Sequence, residues 1–378
     1  MQGLGRLTAG LCAAALLAGL PASPALAQGS PGIRTPQVLQ PFDPAAPACT
    51  VPPGLERTLR FSKDNDRDFI EGVGQGLQAA AADRGLDYAE ALAANDAARQ
   101  ATDVDGFVRD KAGAVVTAPV DAYSLGPHLQ QVIWSGGYVG AVVPPPATTI
   151  LNAPQYLTGK TLADEAARHV QEELGGRANV VLLTHDSLQF LAPRFTAMRD
   201  AFKDMEGVRI VADISPNPVS EEGGYTTMKL ILAANSQIDV VLGADTVVLG
   251  ALRALREAGK DRPDMFVGGI DGEPEAVAEI RKGGPYKASV ALSSPVFGYA
   301  LGWYAADWLE GKSVPQAMDI LPFALTSENI AQYEADQADP GAVWADPAKR
   351  EAYLRMYGNI CYDTREQYLN FPWSSESR

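Results

Sequence analysis

A chain of 378 residues with 46 Asp and Glu against 31 Lys and Arg carries a formal charge of -15 at pH 7. So acidic a chain repels phosphate backbones, which sets nucleic acid aside as a partner. With 46% apolar residues the chain can build a sizeable core, and its length suits two domains of ordinary size.

Residues 1–27 contain one basic residue, Arg6, and no acidic one. An Ala- and Leu-rich run from Leu7 to Leu20 follows, then Pro21 and Pro24, then the small-residue pattern Ala25-Leu26-Ala27. A positive start, a short apolar stretch and an A-x-A site predict a secretory signal peptide, cleaved after Ala27, and hence a periplasmic protein. The alternative, a retained membrane anchor, needs a longer run than this Gly-interrupted one. Cys12 lies inside the run rather than after it, so lipidation is not expected. No other segment reaches eighteen uninterrupted apolar residues. Cleavage leaves Cys49 and Cys361 near the two ends of the mature chain. In an oxidising compartment they are expected to form a disulfide, the alternative being two unpaired buried thiols.

Residues 28–54, rich in Pro, Gly, Ser and Ala without a period, read as a flexible leader. A strand-then-helix rhythm begins at Leu55. Arg57–Ser62 is strand-like, and Phe69–Arg84 carries apolar residues at helical spacing. A strand over Ala114–Ala118, a helix over Leu125–Trp134 and a strand over Tyr138–Val143 follow. Pro144-Pro145-Pro146 then halts regular structure. The rhythm restarts with a helix over Leu162–Leu174 and strands at Asn179–Thr184, Val208–Asp213, Ile238–Leu242, Met265–Ile270 and Ala288–Leu292. Helices are expected between them at Pro193–Met205, Tyr225–Ala234, Val247–Gly259 and Glu273–Gly283, with a last one at Pro295–Leu309. Strands that are apolar at nearly every residue are buried on both faces, and alternation with amphipathic helices predicts parallel sheets covered by helices. The fold class is therefore α/β. Two doubly wound sheets fit the proline-rich break better than one very wide sheet. Ligands in such folds bind beyond the C-terminal ends of strands.

Four segments then carry a resemblance. Asp245-Thr-Val-Val-Leu-Gly-Ala-Leu leads into Ala258-Gly-Lys260. Val267-Gly-Gly-Ile-Asp271-Gly-Glu-Pro274, Arg194-Phe-Thr-Ala-Met-Arg-Asp-Ala201 and Phe323-Ala-Leu-Thr-Ser-Glu-Asn329 keep its order and spacing. Together they resemble the periplasmic sugar-binding proteins of ABC importers, in the branch with ribose- and galactose-binding proteins, across about residues 55–330. The resemblance implies a type I periplasmic binding protein fold, with two lobes joined by three crossovers at a hinge. Lobe 1 is then expected at 55–150 plus 294–322 and lobe 2 at 151–293 plus 323–330. The aromatic-rich stretch 331–378 is expected to be a C-terminal extension packed on the body. Repressors of the lactose type share this fold but begin with a DNA-binding helix-turn-helix, where this chain has the signal peptide.

The resemblance also nominates ligand-binding residues. Asp271 ends an apolar strand, and its carboxylate could accept bonds from vicinal hydroxyls; it could equally form an Asx-turn or a cap. Arg194 could donate a fork of hydrogen bonds or be a surface charge. Arg67 and Phe69 follow the first strand, where a flat ring can cover the apolar face of a sugar. Asp245 is nominated too, although an aspartate there commonly caps its helix. Asp66, Asp68, Asp186, Phe190 and Tyr225 are weaker candidates, and Trp134 and Trp303 read as core. The chain departs from the family pattern at the proline tract, at Ala244 and near Leu292, where polar residues are usual. A less polar or differently shaped ligand than a standard aldopyranose is therefore open.

Catalytic motifs are missing: there is no G-x-S-x-G, H-E-x-x-H, C-x-x-C or Walker loop. His128, His169 and His185 show no metal spacing, and Gly72-Val-Gly-Gln-Gly76 lies inside a helical pattern. The expectation is a non-enzymatic, monomeric binding protein without cofactor or metal. It would carry a small polar ligand, a sugar or polyol, to an ABC transporter permease by hinge closure. Alternatives are a sensory protein that presents its ligand to a receptor or kinase, and a metal-dependent periplasmic enzyme.

Overall fold

The computed structural model describes residues 32–142, 146–235 and 237–376. The expected signal peptide and, within the proline tract, Pro144 and Pro145 lie outside them.

Lobe 1 grows from β1 (Glu56–Lys63), α1 (Asp68–Arg84), β2 (Asp87–Leu92), α2 (Ala97–Arg109), β3 (Ala112–Thr117), α3 (Ala122–Trp134), β4 (Tyr138–Ala141) and β5 (Thr149–Asn152). Lobe 2 continues with α4 (Gln155–Glu172), β6 (Ala178–Leu183), α5 (Ala192–Phe202), β7 (Val208–Ile214), α6 (Glu221–Ala234) and β8 (Val240–Leu242). It ends with α7 (Asp245–Glu257), β9 (Phe266–Ile270), α8 (Pro274–Arg281) and β10 (Tyr286–Leu292). The remaining elements are α9 (Ser294–Leu309), β11 (Ala317–Ile320), β12 (Pro322–Leu325), α10 (Ile330–Ala338), α11 (Pro340–Ala345), α12 (Pro347–Tyr353) and β13 (Leu354–Tyr357).

These strands form two sheets, ordered β13-β11-β5-β4-β3-β1-β2 and β12-β10-β9-β8-β6-β7. All neighbours are parallel except the added edges, β13 on β11 and β12 on β10. The α/β class with two sheets holds. Its physical origin is plain in β3, β4, β8 and β9, where every residue is buried. Such strands need helices on both faces. One apolar core surrounds the first sheet, and separate clusters cover the two faces of the second.

Close helix packing explains the glycine-rich Gly72–Gly76 pattern. A Cβ on Gly76 would meet the Pro295 carbonyl oxygen at 2.0 Å, so the residue lets α1 lie against α9. No phosphate loop is formed there.

The chain passes between the sheets at β5 to α4, at β10 to α9 and at β11 to β12, which gives the three crossovers of the resemblance. It then crosses a fourth time. Ile330 of α10 joins the core of lobe 2, whereas α11 packs on α9 and β13 closes the edge of the first sheet.

The flexible leader expected over 28–54 is corrected for residues 32–54. Phe42 N donates to Met356 O at 3.0 Å, Gly358 N to Gln40 O at 2.7 Å and Cys49 N to Gly311 O at 2.7 Å. Leu39 is buried in the core of lobe 1. The segment is bound by the C-terminal extension and by Gly311 after α9, long-range partners that local composition does not reveal. Cys49 and Cys361 sit together, their Cα atoms 6.3 Å and their sulfurs 2.18 Å apart. Among the described residues, no helix is long and apolar enough to cross a membrane.

Candidate functional site

At the end of β1 the chain turns through Lys63–Arg67 into α1. Lys63 is buried and bridges Asp66 at 3.2 Å, Glu71 at 2.5 Å and Glu90 at 3.0 Å, which fixes the turn. Asp66 is thus spent on Lys63, and Asp68 sits in the first turn of α1. Arg67 lies 3.1 Å from Asp64 with over half its side chain exposed, and Phe69 packs partly on the core of lobe 1. Both line a hollow of about 1020 Å³ together with Val142 from the end of β4. Gln155, Tyr156, Phe190 and Pro193 complete it from lobe 2, and Trp373 to Glu376 from the C-terminus. This volume is at the upper end of those that hold small molecules.

A second hollow of about 220 Å³ lies in lobe 2, among Thr184, His185, Arg194, Thr246 and Asp271. Arg194 and Asp271 therefore line a different hollow from Arg67 and Phe69. The two hollows meet at the start of α5, where Pro193 borders one and Arg194 the other. Gln155, on the wall of the larger hollow, accepts a hydrogen bond from Arg194 Nε.

Arg194 is held by packing. A Cβ on Gly159 would meet the Arg194 carbonyl oxygen at 2.0 Å, so α4 and α5 approach closely only because glycine stands there. Its side chain is 12% exposed, and Nη1 lies 3.5 Å from Asp271 Oδ1. Burial pulls the guanidinium below its ordinary range, while Asp271 pulls it back. Asp271 N donates to Val290 O at 2.8 Å, and the residue adopts a φ of 119°. A non-glycine residue there is strained by about 1–3 kcal/mol, and strain of this kind clusters at ligand clamps. Asp271 keeps half its side chain open to the hollow. The protein around its carboxyl displaces water and raises its pKa, and Arg194 opposes this.

Asp245 is placed elsewhere than expected. It is 0% exposed and lines neither hollow. Its carboxylate accepts from Tyr286 OH at 2.7 Å, Ser289 Oγ at 2.6 Å and Glu273 N at 2.9 Å. Ser289 Oγ in turn accepts from Gly272 N at 3.0 Å. Asp245 thus holds the turn that carries Asp271 from behind, and burial pushes its carboxyl up to about 7 despite those bonds.

Of the weaker candidates, Phe190 is two-thirds exposed on the larger hollow. Asp186 pairs with Arg199, and Tyr225 lies under Arg253 with its hydroxyl on Glu257. Trp134 and Trp303 pack half-buried on the core of lobe 1. His185 and Thr246 were missed, although both stand just past strands β6 and β8, where the strand-end rule points. Gln155 and the C-terminal residues carry no local signal.

A two-lobed α/β binding protein with its polar groups at strand ends is what this geometry defines. Residues 61–313 match the periplasmic binding protein domain family, and the chain belongs to it. It is 27% identical over 271 residues to a xylitol-binding protein of Mycolicibacterium smegmatis, covering 69% of this chain and 75% of that one. It is 26% identical over 266 residues to a ribose import binding protein of Bacillus subtilis, covering 66% and 80%. Among solved structures, a periplasmic ribose ABC transporter protein from Conexibacter woesei superposes with a TM-score of 0.62 at 20% identity, over 77% of this chain and 97% of the other. At that identity the likeness speaks for the fold.

Proposed function

We propose that this chain is an exported, non-enzymatic solute-binding protein that captures a sugar or polyol between its lobes and hands it to the permease of an ABC importer. The observation that carries this reading is the Arg194–Asp271 pair at the floor of lobe 2. A carboxylate and a guanidinium 3.5 Å apart offer acceptors and donors matched to vicinal hydroxyls. Phe69, on the larger hollow that adjoins theirs at Pro193 and Arg194, offers an apolar face for the carbon side of such a ligand. Relatives named for xylitol and ribose support this substrate class. A signal-like N-terminus and the Cys49–Cys361 neighbourhood support an oxidising, extracytoplasmic location with a disulfide between those residues. Delivery proceeds by closure of the lobes over the ligand, which selects the closed state because it binds that state more tightly.

A thermal-shift screen over pentoses, hexoses, polyols and inositols tests the reading, because a ligand that binds only the folded form raises the melting temperature. A sugar or polyol is expected to give a saturable shift that calorimetry confirms. Failure of every member of the panel to bind the native chain would overturn the proposal.

A further inference from the structure

The last described residues leave lobe 1 and end on lobe 2. Leu369 is bridged to Ala147, and Trp373 is buried against Tyr357 of β13, ring centroids 5.0 Å apart. Trp373 Nε1 donates to Gln37 O at 3.2 Å. Three residues later the Glu376 carboxylate accepts from Tyr156 N at 3.0 Å and from Leu157 N at 2.8 Å, in the first turn of α4. Between these anchors Ser375 Oγ lies 3.4 Å from Asn152 Nδ2. Asn152 also donates to Asp319 at 2.7 Å, and Asp319 accepts from Tyr357 at 2.9 Å. Asn152 ends β5 and Asp319 belongs to β11, so this cluster sits at two of the chain crossings.

The chemistry explains why a distant carboxylate lands there. The first amides of a helix have no partner within it, and together they carry partial positive charge. Most helices cap them locally, but the residue before α4 is Pro154, which offers no side-chain bond. Glu376 takes two of the amides from 220 and 219 residues away. The same segment lines the larger hollow, and it lies wholly outside the family match at 61–313.

We propose that residues 372–376 are a noncovalent strap between the lobes and a wall of the binding cleft, setting the resting angle of lobe 2 and the size of ligand admitted. The part concerning ligand size rests on the function proposed above; the strap does not. Removing Glu376 frees α4 from lobe 1 at this edge without touching Arg194 or Asp271. Removing Ser375 onward also opens the wall, while Trp373 stays in its packing.

The test compares the native chain, Glu376→Ala, a chain ending at Ser374, and Asp271→Ala. Without ligand, amide exchange at Tyr156 and Leu157 is expected to quicken by about tenfold or more in the first two variants. Small-angle scattering should show a wider lobe separation in both. Asp271→Ala should match the native chain in both readouts. Unchanged exchange and unchanged scattering in the two strap variants would overturn the strap. With ribose, xylitol, myo-inositol and maltose as probes, the shortened chain is expected to change the ratio of affinities for large against small ligands by about fivefold. An unchanged ratio would overturn the wall. Should the native chain bind none of the four, the wall falls with them, and the ligand-free readouts still decide the strap.

Discussion

At the residue scale the proposed site gives two aspartates opposite duties. Asp271 presents an open carboxylate, and under the proposed function Asp271→Ala removes acceptors whose loss would leave ligand hydroxyls and Arg194 unpaired. Each such group costs about 1–3 kcal/mol, so affinity should fall by about tenfold or more, read by calorimetry; an unchanged affinity would retire this residue from the site. Asp245 presents nothing to the hollow and instead fastens three groups behind it. Its folded value of about 7 lies above the roughly 3.9 of an unfolded aspartate. Below about pH 4 both states hold the proton and its contribution to stability is full. Between about 4 and 7 the unfolded chain releases the proton first, so this contribution is lost as pH rises. The fall in denaturation midpoint from pH 5 to 8 should therefore be shallower in Asp245→Asn than in the native chain. Equal slopes would contradict the assignment. The position of Asp271 on the smaller hollow was legible because the residue ends a fully apolar strand and precedes glycine. Asp245 was not, since an aspartate opening a helix looks the same in sequence whether its carboxylate faces ligand, caps the helix or is buried under a turn.

At the scale of elements, legibility followed burial on both faces. The strands β3, β6, β8 and β9 are near-continuous apolar runs, and their positions agree with the sequence reading to within a few residues. β2, Asp-Tyr-Ala-Glu-Ala-Leu, has no fully buried residue because it is a sheet edge, and no apolar run announces it. β5, β11 and β13 have only four residues each, too short for a period to emerge. The place of the C-terminal aromatics is not legible in the sequence. Phe323 of β12 stacks on Tyr333 and Tyr353 at 5.8 and 5.6 Å, joining an edge strand of lobe 2 to helices that return to lobe 1. Tyr353 is 2% exposed and donates to Asp336 at 2.9 Å. Tyr353→Ala leaves a cavity and an unpartnered carboxylate oxygen, and should cost about 3–5 kcal/mol in urea denaturation. A loss below 1 kcal/mol would mean that the extension contributes little to the fold.

At the scale of the whole molecule, the ties fall into two kinds. Cys49 and Cys361 both lie on lobe 1, near Gly311 and the Val314–Ile360 bridge. A bond between them closes 312 residues of sequence, worth up to about 5 kcal/mol in the chain-entropy account, yet it spans no hinge. The four chain passages, the Phe323 stack and the Glu376 carboxylate do span it, and the Phe323 stack and the Glu376 contact add side-chain ties to the covalent ones. Stability and closure should therefore respond to different perturbations. Mass spectrometry of protein recovered from an oxidising compartment should find the Cys49 and Cys361 peptides linked, and reductant should lower the melting temperature. Saturating ligand should shrink the particle in X-ray scattering, and it should do so equally in oxidised and reduced protein, because the bond constrains one lobe and the ligand bridges two. A ligand-induced contraction that vanished on reduction would place the disulfide in the hinge, against its position in the fold. A scattering profile identical with and without ligand would remove closure itself, leaving a rigid cleft whose width is fixed by the residues that brace it.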